Sequence, residues 1–247
     1  MSPLFPACHP VPWWRLGRTA ACTGWALAVT GRPGATPATP GPAAALAQRW
    51  AIRVLSALHV RVALDQPLPP GGQLWVSNHL SWLDPLVYLS LRPCRILAKA
   101  EVARYPALGA GARRIGLRFV RRECLFSRAA ALRTLGRDLA AGDAFLLFPE
   151  GTTTLGDRLA PFQEGGLRLA YRLGIRALPL RLACADPGYP WIGDAELLPH
   201  LRQLARIRDT RVRIHPGPVL DPDRCPDEAA WLRTIRAHLE TPSGDLP

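Results

Sequence analysis

Residues 74–85, Leu74-Trp75-Val76-Ser77-Asn78-His79-Leu80-Ser81-Trp82-Leu83-Asp84-Pro85, run from an apolar segment through a polar loop to a proline. The segment LWVS at 74–77 reads as a short buried strand. Proline suits the first helical position, so Pro85 is predicted to open a helix with Asp84 as its N-cap and His79 in the preceding loop. Five residues apart on a regular helix, His79 and Asp84 would point to different faces; across a turn they can meet. An imidazole near neutral pH accepts a proton, and a carboxylate on its other nitrogen fixes the tautomer and stabilises the imidazolium that forms. The pair therefore reads as a general base with its orienter. Its natural client is a hydroxyl, because no serine or cysteine stands out as a covalent nucleophile; Ser81 is close in sequence but lacks an elbow context.

Outward from this stretch, short apolar strands alternate with longer helical patterns. Further strands are predicted at 95–98, 117–120, 144–148, 177–183 and 211–216, and helices at 43–58, 85–91, 127–141, 162–173 and 227–239. In the first helix Leu46, Trp50, Val54 and Leu58 recur every four residues, as an amphipathic helix requires. This alternation predicts an α/β domain with a largely parallel central sheet flanked by helices, in which reactive groups gather where strand ends lead into loops. Segment 184–205, with Trp191, Asp194 and Glu196, reads either as shaping an acceptor pocket or, the preferred reading, as only capping the sheet edge.

Two more strand ends are unusual. The strand at 144–148 leads into Pro149-Glu150-Gly151-Thr152-Thr153-Thr154, a tight loop whose backbone N–H groups and hydroxyls can hold a phosphate. Glu150 suits orienting an arginine or binding an acceptor hydroxyl, or else is an exposed turn carboxylate. Arg118-Phe119-Val120-Arg121-Arg122 offers, through Arg122, forked hydrogen bonds to a phosphate.

Composition narrows the partners. Thirty-one basic residues against 19 acidic ones give a formal net charge of +12, and Lys99 is the sole lysine. Such a surface favours anionic partners, whether nucleic acid, lipid headgroups or acidic cofactors. A basic nucleic-acid-binding protein is the alternative from another class, but no helix-turn-helix, zinc-finger or RNP-like pattern is present, so no nucleic acid is expected as partner. The six cysteines are scattered without a C-x-x-C pair or matching histidines, which points to a reducing setting and asks for no metal. Residues 19–30 form an apolar run of twelve, short of the ~20 that span a bilayer as a helix. With Arg15, Arg18, Trp13, Trp14 and Trp25 around it, the run reads as an interfacial segment. The expected plan is an N-terminal membrane-associating helical segment at 1–30, a Pro/Gly-rich linker at 31–42 and a catalytic domain at 43–247.

Taken together, these segments resemble the glycerolipid acyltransferases, the family that includes bacterial 1-acylglycerol-3-phosphate acyltransferase. NHLSWLD at 78–84, GLRFVRR at 116–122, FPEGTTT at 148–154 and ALPLRL at 177–182 occur in the family's order, joined by LAKAEVARYPALG at 97–109. The ordered set is more specific than any one block. The resemblance implies that His79, held by Asp84, deprotonates an acceptor hydroxyl, which attacks the thioester of acyl-CoA or acyl-carrier protein without an acyl-enzyme. It further implies that Arg122, Glu150, Gly151 and Thr152 bind the acceptor headgroup, that Lys99 lies near the reaction centre or acyl channel, and that Asn78 and Ser81 shape the catalytic loop. The donor thioester is a substrate, and neither cofactor nor metal is implied. The expected partners are a membrane lysolipid acceptor and an anionic membrane surface, with the enzyme peripheral or monotopic on the cytoplasmic face of the inner membrane. Lysophosphatidic acid is the expected acceptor in phospholipid biosynthesis, and a lyso-ornithine lipid the alternative. Arg121 stands where the family often has an acidic residue, which puts headgroup choice in doubt; Thr154 departs more mildly.

Overall fold

The computed structural model describes residues 12–29, 42–69, 74–100, 118–121, 124–193 and 195–240. In chain order the elements are α1 (Trp13–Val29), α2 (Pro42–Ala57), β1 (Val60–Leu64), β2 (Leu74–Ser77), α3 (Asp84–Leu91), β3 (Arg95–Lys99), β4 (Arg118–Val120) and α4 (Leu125–Ala140). There follow β5 (Phe145–Leu147), α5 (Gly165–Arg172), β6 (Ala177–Cys184), α6 (Leu197–Arg206), β7 (Thr210–Pro216), a 3-10 turn (Pro222–Arg224) and α7 (Glu228–Glu240). The strands form one seven-stranded sheet in the order β1-β7-β6-β2-β5-β3-β4. Strands β2 to β6 are mutually parallel, and β7 joins antiparallel to β6 with β1 parallel to it on the outer edge.

Side-chain alternation along the strands builds two cores. Trp75, Leu146, Leu178, Leu180 and Leu182 face one way, toward Trp50 and Val54 of α2, Tyr88 of α3 and Leu204 of α6. Leu74, Val76, Phe145 and Leu147 face the other, toward Leu135 and Leu139 of α4, Leu167 of α5 and Trp231 and Ile235 of α7. A central strand such as β2, covered by helices on both sides, is buried at every position, which is why it reads as a continuous apolar run.

Two elements lie beyond the sequence reading, and the expected N-terminal helix differs in where it starts and what it packs on. Strand β1 follows α2 through a turn at His59, whose φ of 58° is left-handed, so no glycine or proline announces the strand. Helix α6 lies in the stretch expected only to cap an edge. Helix α1 begins well before the apolar run and packs on α2 and α6, because Arg15 is buried and donates to the carbonyls of Ala205 (3.0 Å) and Ile207 and to His59 Nδ1 (3.0 Å). The N-terminal segment thus docks on the domain through at least its first turns. No helix among the described residues is long and apolar enough to cross a membrane. The expected linker, apart from Pro42 at the start of α2, lies outside the described residues.

Candidate active site

Because β2 to β6 run the same way, their C-terminal ends share one edge of the sheet, and the chain leaving β2 has to be released there. Asn78 does this: its buried amide donates to Leu182 O (2.9 Å) and accepts from Leu182 N (2.7 Å). A side chain thereby satisfies the next backbone pair of β6, and the main chain of the loop is free to turn away. Ser77 supports the exit through a 2.6 Å hydrogen bond to Tyr88 Oη.

The loop closes on Asp84, which is fully buried. Its Oδ2 accepts from His79 Nδ1 (2.8 Å), Leu80 N (2.6 Å) and Ser81 N (2.9 Å), and its Oδ1 accepts from Tyr189 Oη (2.7 Å). Helical geometry begins at Leu83, so Asp84 occupies the first turn of α3 and reaches back into the loop, where a conventional N-cap would bond forward into the helix. Four donors and the positive end of α3 carry its charge in a place closed to bulk solvent. Burial and the neighbouring Asp84 carboxylate push the Tyr189 phenol well above its ordinary range, so it stays a protonated donor. Ser81 is buried; its hydroxyl accepts from Leu83 N at 3.4 Å, a loop-shaping contact.

The loop after β5 clamps the other side of His79. The imidazole stacks on Phe148 with centroids 4.1 Å apart. Glu150 is 4% exposed and bridges His79 N (2.9 Å) and Ala160 N (2.9 Å), while Thr154 N donates to His79 O (2.8 Å). Of the readings open for Glu150, an exposed turn carboxylate is overturned: burial raises its pKa above the ordinary carboxylate value, against the two amides and His79 that lower it. Gly151 takes a left-handed φ of 67°, which lets the chain turn directly after Glu150. Thr152 is exposed at the loop surface. With Nδ1 committed to Asp84, the 17% exposed side chain of His79 offers Nε2 to an incoming group.

A further segment joins from β6. Trp191 N donates to Leu80 O (2.8 Å), Thr153 Oγ1 donates to Trp191 O, and Trp82 Nε1 donates to His200 Nδ1 of α6 (2.9 Å). Stretch 184–205 therefore walls the loop that carries His79, which goes beyond the preferred reading of a mere cap on the sheet edge. Sequence reasoning missed Tyr189 and Phe148 as participants. Tyr189 lies 105 positions from Asp84, and a lone tyrosine between glycine and proline carries no signal for that pairing.

On the far side, β4 pairs with β3 so that Val120 stands beside Lys99, three strand spacings or about 14 Å from β2. Arg118 is engaged with Asp138 (3.2 Å to each oxygen), and Arg121 is exposed. Arg122 and the side chain of Lys99 lie outside the described residues. No group of His, Cys, Asp and Glu that could hold a metal occurs among the described residues. The arrangement can take a proton at His79 Nε2.

A family model described as Acyltransferase matches residues 59–183. The chain is 35% identical over 175 residues to the lyso-ornithine lipid O-acyltransferase of Pseudomonas aeruginosa, covering 69% of this chain and 67% of that protein. It is 30% identical over 135 residues to the 1-acyl-sn-glycerol-3-phosphate acyltransferase of Neisseria meningitidis, covering 54% of this chain and 53% of that protein. Among solved structures, the 1-acyl-sn-glycerophosphate (LPA) acyltransferase PlsC from Thermotoga maritima shares the fold, with a TM-score of 0.65 at 18% identity over 92% of this chain and 95% of that one.

Proposed function

The chain belongs to the acyltransferase family, and from that premise we propose that it transfers a fatty acyl group from acyl-CoA or acyl-carrier protein to the hydroxyl of a membrane lysolipid. One observation carries the chemistry: His79 is bound through Nδ1 to a buried Asp84 whose remaining oxygen is taken by Tyr189, so the ring is held with Nε2 free to act. His79 Nε2 removes the proton of the acceptor hydroxyl as its oxygen bonds to the thioester carbonyl carbon. The tetrahedral intermediate then expels the thiolate, which recovers the proton from the imidazolium. Asp84 stabilises that imidazolium, and no acyl-enzyme forms. The reaction needs no cofactor. Gly151 and Thr152 with Arg122 would hold the acceptor headgroup and Lys99 would line the approach, while Asn78, Ser81 and Glu150 hold the loop that carries the base.

Two acceptors are supported by different observations. Relatives named lyso-ornithine lipid O-acyltransferase reach 35%, 33% and 30% identity over about two thirds of this chain, which favours a lyso-ornithine lipid. Exposed Arg121 at the end of β4, beside the sheet's basic edge, favours an anionic phosphate headgroup such as that of lysophosphatidic acid. The test is acyl transfer from labelled acyl-CoA and acyl-carrier protein to both lysolipids, with wild type and His79→Ala. Product on either acceptor that disappears in the variant supports the mechanism, and the acceptor preferred by kcat/KM decides between them. No product on any lysolipid would sink the proposal.

A further inference from the structure

Between Ser81, whose N–H binds Asp84, and Leu83, where helical geometry begins, Trp82 turns its indole toward α6 and donates from Nε1 to His200 Nδ1 (2.9 Å). His200 stands in the first turn of α6, 5% exposed, with its own N–H donating to Glu196 O (3.2 Å). An indole N–H can only donate, so Nδ1 carries the lone pair and the proton of the neutral ring sits on Nε2. That nitrogen is buried and makes no regular hydrogen bond, with the carbonyls of Gly188, Tyr189 and Pro190 nearby. One imidazole therefore meets both arms that hold Asp84: the loop, through Trp82, and the segment whose Tyr189 Oη donates to Asp84 Oδ1 (2.7 Å).

Stability alone does not ask for a histidine here. The buried side of α6 otherwise presents Leu204 and Ala205, and a leucine at 200 would bury apolar surface without the cost of desolvating an imidazole. What the imidazole adds is direction. An acceptor for Nε1 selects one orientation of the Trp82 ring, whereas an apolar neighbour would leave the N–H unpaired and the ring free to turn. Trp82 lies two positions before Asp84 and one after Ser81, so a change in its backbone moves both the carboxylate that holds His79 Nδ1 (2.8 Å) and a donor to that carboxylate. Small displacements of a base from its working geometry cost rate rather than fold.

We propose that His200 is a positioning residue for the reaction: by accepting from Trp82 Nε1 it fixes the loop on which Asp84 aligns His79. The proposal rests on the reading of His79 as the base, and its test has a readout that does not. Acyl transfer to the preferred lysolipid is measured for wild type, His200→Leu, Trp82→Phe, the double variant and His200→Asn, whose amide oxygen falls where Nδ1 stood. In the same proteins proton NMR follows the Nδ1 proton shared by His79 and Asp84, assigned by its loss in His79→Ala. His200→Leu and Trp82→Phe should each lower kcat about tenfold with KM unchanged, the double variant should lose no more than either, and His200→Asn should recover most of the loss. The shared proton should broaden or vanish in His200→Leu and persist in His200→Asn. Wild-type kcat in His200→Leu overturns the proposal, as do losses that multiply in the double variant or a His200→Asn variant as impaired as His200→Leu. Should His200→Leu fail to fold, Trp82→Phe and His200→Asn carry the same comparison. If the wild type acylates no lysolipid, the same pattern in the shared proton supports the positioning of His79 and removes the acyltransfer reading.

Discussion

His79 is gripped through its ring, its N–H and its carbonyl, by Asp84, Glu150 and Thr154 respectively, and it rests on Phe148. Each grip predicts a separable effect. His79→Ala should lower kcat by about a thousandfold while the folded state survives, measured by acyl transfer beside circular dichroism. Tyr189→Phe removes one donor from Asp84 and nothing from the substrate. Its kcat should therefore fall about tenfold with KM unchanged, whereas a merely structural tyrosine would leave kcat alone. Glu150 gives a pH signature. A carboxyl whose pKa is raised by burial binds its proton more tightly in the folded than in the unfolded chain, so its contribution to stability is complete below the ordinary value of about 4.3 and is lost as pH rises through the raised one. Urea unfolding of Glu150→Gln should accordingly compare better with wild type at pH 7 than at pH 4.5; a constant difference would contradict it.

At the scale of elements, α6 is the unanticipated one that matters. It places His200 where the imidazole accepts from Trp82 Nε1, inside the catalytic loop. Burial lowers the His200 pKa, against the nearby carbonyls of Pro190, Gly188 and Tyr189 that raise it, so the folded protein keeps the ring neutral. A depressed value means that stability is full above the unfolded pKa of about 6.5 and is lost as pH falls through the folded one. Denaturation between pH 7.5 and 5.5 should show that loss in wild type and not in His200→Gln. The strands that carry the site were legible because β2, β5 and β6 are short, apolar and end in polar loops. Edge strand β1 alternates buried and exposed residues behind a histidine turn, and α6 carries Pro199 and the buried His200 in its first turn; each is held by packing partners far along the chain.

For the whole molecule, a net charge of +12 predicts binding to anionic vesicles that weakens as salt rises from about 0.05 to 0.5 M. The residue types of the proposed reaction, a histidine, an aspartate five positions on and a loop of glycine and threonines, stand in the sequence because chemistry and turn geometry dictate them locally. So do the alternation of strands and helices and the family resemblance. Tertiary structure alone decided that Tyr189 completes the Asp84 shell, that Glu150 holds a backbone amide, and that α1 lies on the domain through Arg15. Those facts depend on contacts between residues up to about two hundred positions apart, which a parallel sheet brings together by aligning strand ends and which no local pattern encodes.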